Sequence, residues 1–220
     1  MLLTNSKQTH AEFARKSDYY SIVAKGPMLD RVYSMRYRSY SAENYIEENS
    51  AHKFIDEYDA KPNSTCFLAY CRQKLIGSIR ACVFNAEEGN SIPILEVFEN
   101  EIRDSIGLNN VIVEPNKFVV DPTFQRSGGV KARFVLLGAA VEHAIQKNAT
   151  AIVVAVRPEH IKFYKMFGGT LASDAKLYPH LSFETVLMVC TDIHRCRDFI
   201  KRKIERVEIR NDSVLSHSGY

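Results

Sequence analysis

A mixed α/β fold, with a central mixed sheet flanked by helices on both faces, is predicted by three observations on the 220-residue sequence. Apolar residues recur with period two in some segments and with helical spacing in the segments between them. Ala151–Val156 is apolar at every position, as expected of a strand buried on both faces. Between Val111 and Ile145 a strand, a glycine-bearing loop and a long helix follow one another. This order excludes a helical bundle and a β-sandwich.

Hydrophobic residues make up 45% and charged residues 25%, enough apolar material for a core that needs neither disulfide nor metal. Nothing in the middle reads as a linker, so one domain is expected over residues 1–210, with 211–220 as a flexible tail. The five cysteines lack a CxxC pair or zinc-like spacing with histidine and read as reduced thiols. None of the seven histidines is assigned a role, and no metal is expected. The N-terminus has no signal-like apolar region and no stretch approaches the roughly 20 apolar residues of a bilayer span, so a cytoplasmic setting is expected. A net charge of +3 argues against a general nucleic-acid binder, although Thr191–Arg210 carries seven Lys or Arg against four Asp or Glu.

In chain order, Tyr19–Ala24 is β-prone and stops at Gly26-Pro27. Leu29, Val32, Tyr33 and Tyr40 then form a helical stripe that also contains Arg36. Thr65–Cys71 and Leu75–Phe84 read as a hairpin, with Ser78, Arg80 and Cys82 on one face and Gly77, Ile79 and Ala81 on the other. Ile94–Ile106 is expected as a helix, Val111–Val120 as a strand interrupted at Pro115, and Val130–Ile145 as a helix. After the strand Ala151–Val156, a short helix from Pro158 ends at Gly168-Gly169. The strand Phe183–Val189 precedes a basic helix from Asp192 to about Glu208.

Two features point to chemistry. An arginine on an inward face is costly unless a carboxylate answers it, so Arg36 and Arg80 are expected either to clamp a substrate carboxylate or to join Asp56 and Asp59 in a buried ionic network. The loop Gln125, Arg126, Ser127, Gly128, Gly129, Val130 at a helix start offers backbone N–H groups and the positive helix end to a phosphate. Glycines in such loops also serve purely steric ends, and the loop alone does not decide between the two.

Val120-Asp121-Pro122, Gln125–Gly129 and Phe163–Gly168 stand in the order found in GNAT acyltransferases, which the chain therefore resembles. The resemblance implies that pantetheine lies along Phe118, Val119 and Val120, that its phosphate rests on Gln125–Val130, and that Tyr164 faces the leaving sulfur. Arg36–Tyr40, Phe54–Asp59, Gly77–Arg80 and Glu114–Phe118 are similar to the signature of acyl-homoserine-lactone synthases. Those enzymes carry a tryptophan and an arginine where this chain has no Trp at all and Lys117, so the chain looks more like the related long-chain N-acyl amino acid synthases of the FeeM type.

That resemblance implies the phosphopantetheine thioester of acyl carrier protein as donor, no permanently bound cofactor, and an amino acid acceptor, tyrosine first. Glu114 is the expected base with Glu96 in reserve, a backbone N–H near Val120 the oxyanion donor, and Tyr164 the acid. Arg36, Arg80, Asp56 and Asp59 are expected around the acceptor. Arg126, Lys131 and Arg133 are expected to dock the acidic carrier, a role for which the last helix (Arg195, Arg197, Lys201, Arg202, Lys203) is a second candidate. Phe84, Phe98, Phe118 and Phe134 are expected to line the acyl pocket. The alternatives are a lactone synthase, a coenzyme A-dependent N-acetyltransferase, and a GNAT-like module that binds a lipid or partner without turnover.

Overall fold

The structure, a computed structural model, describes residues 18–125, 129–178 and 182–215, with the backbone alone at residue 125 and residues 206–215. In chain order the elements are β1 (Tyr19–Val23), α1 (Met28–Ala42), β2 (Ser64–Cys71), β3 (Lys74–Phe84), α2 (Leu95–Ile106), β4 (Ile112–Val120), α3 (Pro122–Gln125), α4 (Gly129–Gln146), β5 (Ala151–Val156), α5 (Ile161–Lys165), β6 (Thr170–Leu171), β7 (Lys176–Leu177), β8 (Glu184–Cys190) and α6 (Ile193–Leu215). The mixed α/β fold expected from the sequence is the one found. α6 runs past the position where the helix was expected to end. The two-residue strands β6 and β7 and a 3-10 turn at Glu57–Ala60 were not anticipated, being too short to carry a period.

The strands form one sheet in the order β1-β2-β3-β4-β5-β8-β6, with β7 on β8. All neighbours are antiparallel except β4 and β5. The alternation in β2 and β3 decides which side each residue serves. Phe67, Ile79, Ala81 and Val83 join Leu136, Val141 and Ala144 of α4 and Ile193, Cys196 and Ile200 of α6 in one core layer. On the other face Cys82, Phe84 and Ile112 pack with Phe98 and Ile102 of α2, while Leu68 and Cys66 pack with Val32 of α1.

Two departures from a regular sheet shape its centre. Between Ser78 and Arg80 the β3–β4 register slips, because Ser78 faces Val119 whereas Arg80 faces Asn116; β4 thus carries one extra residue. Lys117 in that bulge has φ +50°, a left-handed conformation uncommon for lysine. Secondly, β4 and β5 pair only at Ile112↔Ala151 and Val113↔Ile152. Beyond those residues the parallel strands separate and open a gap in the middle of the sheet.

At Gly77, Leu136 of α4 packs directly over β3. A Cβ there would meet the Val119 carbonyl oxygen at 2.7 Å and Leu136 Cδ1 at 2.8 Å. Gly77→Ala is therefore expected to cost on the order of 1–3 kcal/mol in overpacking, read as a lower denaturant midpoint at unchanged m.

Candidate active site

The two arginines expected to face inward meet Asp56 and Asp59 on the side of the sheet covered by α1 and α2. Arg36 and Arg80 are both fully buried, at 0% exposure. Arg36 Nη1 donates to Asp59 Oδ1 at 2.7 Å and its Nη2 to Cys66 Sγ at 3.1 Å. Arg80 Nε donates to Asn116 Oδ1 at 2.7 Å, its Nη2 to Asp56 Oδ2 at 2.9 Å, and its Nη1 reaches Asp56 and, at 3.0 Å, Asp59 Oδ1. The two carboxylates are set in place by the 3-10 turn, since Asp56 accepts from Tyr58 N while its own N–H donates to Asp59 Oδ2 at 3.0 Å. Every nitrogen of the Arg80 guanidinium is thus engaged by the protein itself. Burial would raise the Asp56 carboxyl, but the Arg80 guanidinium and the Lys117 ammonium outweigh it and hold the group down at about 2.

The β4 bulge adds Asn116 and Lys117 to this cluster. Lys117 Nζ lies 3.3 Å from Asp56 Oδ2 and 3.7 Å from the Phe54 ring centroid. Burial pushes its ammonium down to about 8, with Arg80 and Arg36 adding to the effect against Asp56. Neither residue was singled out by inward periodicity, because the extra residue breaks the period-two rule at that point.

Glu114 lies on the same face, opposite Cys82, and is 1% exposed. Its Oε2 accepts from the N–H of Ile94, the cap residue of α2, at 3.0 Å. Burial pushes its carboxyl up to about 7, although the Ile94 N–H, Asn116, Arg80 and Lys117 all favour the anion. Glu96, in the exposed first turn of α2, accepts from Tyr58 Oη at 2.8 Å. Burial, then the charges of Glu114 and Glu96, push the phenol of Tyr178, just after β7, far above the ordinary range. Nothing in the sequence around Tyr58 marks it as the partner of Glu96, because the contact joins segments far apart in the chain.

On the opposite face the gap opens into an apolar cavity of about 50 Å³ lined by Pro115, Leu137, Val154, Tyr164, Phe167 and Ile200, among others. Burial and the neighbouring Tyr40 push the Tyr164 phenol up to about 12, so at neutral pH it keeps its proton. The lining contains none of the four phenylalanines expected there. Phe84 and Phe98 face the α2 side, and Phe118 and Phe134 pack into the layer under α4. Phe84 continues the Ser78/Arg80/Cys82 face of β3, which packs under α2 and not on the cavity side.

Val119 and Val120 are buried and pair with Ser78 and Gly77. Gly129 opens α4, and Val130 beside it is 56% exposed. Arg126, Ser127 and Gly128 lie outside the described residues, as does the side chain of Gln125. Of the expected docking cations, Arg133 is exposed, whereas Lys131 is buried with Nζ 4.9 Å from the Tyr19 ring centroid. On α6, Lys201 lies 3.5 Å from Glu142 and Arg197 pairs with Asp198, while Arg195 and Arg202 are exposed.

A mixed sheet whose two central parallel strands separate, with an apolar cavity on one side of the opening and a buried carboxylate on the other, is the architecture of a GNAT-like acyltransferase. The sequence profile of the family described as N-acyl amino acid synthase FeeM matches residues 31–191. The chain belongs to that family and is an N-acyltransferase of the N-acyl amino acid synthase type.

Among solved structures, FeeM, an N-acyl amino acid synthase from uncultured soil microbes, superposes with a TM-score of 0.66 at 19% identity, over 82% of this chain and 93% of that one. BjaI, a coenzyme A-dependent acyl-homoserine lactone synthase, gives 0.64 at 16% identity over 85% and 89%. MesI, likewise described as coenzyme A-dependent, gives 0.63 at 16% over 85% and 95%. At these identities the likeness is one of fold. Compared with curated protein sequences, the chain finds no match. Among the described residues, no helix is long and apolar enough to cross a membrane.

Proposed function

We propose that this chain is a single-domain cytoplasmic enzyme that moves a long-chain fatty acyl group from the phosphopantetheine thioester of acyl carrier protein to the amine of an amino acid, tyrosine first, by direct attack. The observation that carries this reading is the opening between β4 and β5, with Tyr164 and the apolar cavity on one side and Glu114 on the other. The acyl chain enters from the α4 side and the amine approaches from the polar side. No covalent enzyme intermediate is needed.

Glu114, with a carboxyl near 7, is half ionised at neutral pH and takes a proton from the acceptor ammonium directly or through water. Glu96 is the reserve base. The oxyanion is received by main-chain N–H groups between Phe118 and Val120, where the bulge turns the strand. Tyr164 hydrogen-bonds the departing sulfur. Asp56, held ionised, attracts the acceptor ammonium, and Arg36 and Arg80 act on the acceptor by fixing Asp56 and Asp59.

The acyl-carrier reading of the donor rests on Val130, which puts a projecting side chain where the commonest phosphate loop ends in Gly or Ala. Arg133 and Arg126 are the proposed docking cations, with Lys131 supporting the helix start. The coenzyme A dependence of BjaI and MesI favours a second reading in which acyl-coenzyme A supplies the same thioester.

Purified enzyme offered equal concentrations of acyl-carrier and acyl-coenzyme A thioesters, with mixed amino acids and S-adenosylmethionine, separates these readings by product mass. N-acyl tyrosine formed faster from the carrier thioester is the expected result; a lactone product, or a preference for acetyl-coenzyme A, would sink the proposal. Tyr164→Phe is expected to lower kcat roughly 10-fold, below the usual range for a general acid because a thiolate leaves readily. Its check is the initial rate of thiol release.

A further inference from the structure

The arginines nearest the expected acceptor side already have carboxylate partners of their own. All nitrogens of Arg80 and both terminal nitrogens of Arg36 are engaged by Asp56, Asp59, Asn116 and Cys66. A substrate carboxylate would have to displace a turn-locked aspartate to reach either. Arg157 stands differently. It directly follows β5, five residues beyond Ile152, as Phe118 stands five beyond its paired partner Val113. Because β4 and β5 run parallel, Arg157 and the β4 bulge both lie beyond the last paired residues, on the open end of the gap.

Its guanidinium carbon is 5.2 Å from the Tyr45 ring centroid and 5.4 Å from that of Phe183, and Nη1 donates to Tyr45 Oη. These two rings hold the fork in one orientation. Its outer nitrogen, Nη2, pairs with Glu159, two residues on, whose side chain is 50% exposed. An exposed carboxylate on a short tether is readily exchanged for another carboxylate.

The surroundings are aromatic. Tyr45 lies 4.8 Å from Phe183 and 6.3 Å from Tyr40, which in turn lies 5.0 Å from Phe54, whose ring carries the Lys117 ammonium. A chain of rings thus runs from Arg157 to Lys117 on the polar side of the gap.

We propose that Arg157, held between Tyr45 and Phe183, binds the α-carboxylate of the acceptor in the position now taken by Glu159, and that the adjoining aromatic side chains favour an acceptor with an aromatic side chain. This rests on the reading of the chain as an amino acid acyltransferase. It moves carboxylate recognition from the buried arginines to a half-exposed one and leaves the former as scaffold.

The test compares L-tyrosine, its carboxylate-free analogue tyramine, and L-leucine as ligands, by calorimetric binding and by acylation, for the wild type, Arg157→Met and Glu159→Gln. Wild type is expected to prefer tyrosine over tyramine and over leucine. Arg157→Met should lose roughly 30-fold of the tyrosine-to-tyramine preference, the effect of one charge-assisted pair. Glu159→Gln, which removes the competing carboxylate and leaves the clamp, should tighten tyrosine binding.

The same loss for tyrosine and tyramine in Arg157→Met, or no tightening in Glu159→Gln, overturns the proposal. So does a wild type that binds none of the three. Tyrosine binding that responds as described without any acyl transfer would instead refute the acyltransfer reading and leave the carboxylate site standing.

Discussion

Glu114→Gln is expected to lower kcat by roughly two to four orders of magnitude while leaving the fold in place, because the amide keeps an oxygen for the Ile94 N–H but cannot take a proton. The pH profiles carry a sharper signature. In the wild type kcat/KM should rise with pH through about 7, where the buried carboxyl ionises, and the variant should lose that limb.

Stability runs the other way. A carboxyl whose folded value is raised from 4.5 to about 7 binds a proton more tightly in the native state than in the unfolded one. The native state is therefore favoured at low pH, loses ground as pH rises from about 4.5 to about 7, and is level above that. The difference is on the order of 3 kcal/mol. Glu114→Gln should flatten this dependence, so that the variant gains on the wild type at pH 8 in thermal melts. A variant with full activity, or one whose remaining activity keeps the same pH limb, would transfer the base role to Glu96.

Asp59→Asn is expected to have the largest effect on stability. The carboxylate is 1% exposed and answers two guanidinium groups at once, at 2.7 Å and 3.0 Å. Its loss leaves the buried Arg36 guanidinium without its carboxylate and Arg80 with Asp56 as its remaining counter-charge. Breaking a buried pair costs on the order of 3–5 kcal/mol, which in a chain of this size lowers Tm by roughly 10 °C. Differential scanning calorimetry reads this directly.

An acceptor KM raised in Asp59→Asn with Tm unchanged would instead make the network a binding device and not a scaffold. Asp56, held near 2, adds a related acid sensitivity. The stability it contributes is present above pH 4 or so and is lost as pH falls through about 2.

Much of this was legible in the chain itself. The apolar run Ala151–Val156 has one low-energy environment, a strand covered on both faces, and the Gly77/Ile79/Ala81 alternation against Ser78/Arg80/Cys82 assigns the two faces of β3. Arg36 on a helical stripe and Arg80 on a strand face required buried counter-charges, and Asp56 and Asp59 supply them.

Local pattern carries such information because desolvation of a charge or an apolar side chain is a property of that side chain alone. It does not carry partner geometry. The slip in β4 that brings Lys117 onto the polar face, the separation of β4 from β5, and the meeting of Tyr58 with Glu96 each depend on how distant segments pack against one another. The sequence by itself determined that this is an α/β chain with an acyltransferase-like centre and inward arginines. Only the tertiary structure decided that the terminal nitrogens of those arginines are taken up internally and that Arg157 keeps a half-exposed edge, because hydrogen-bond partners are settled by three-dimensional distances and not by periodicity.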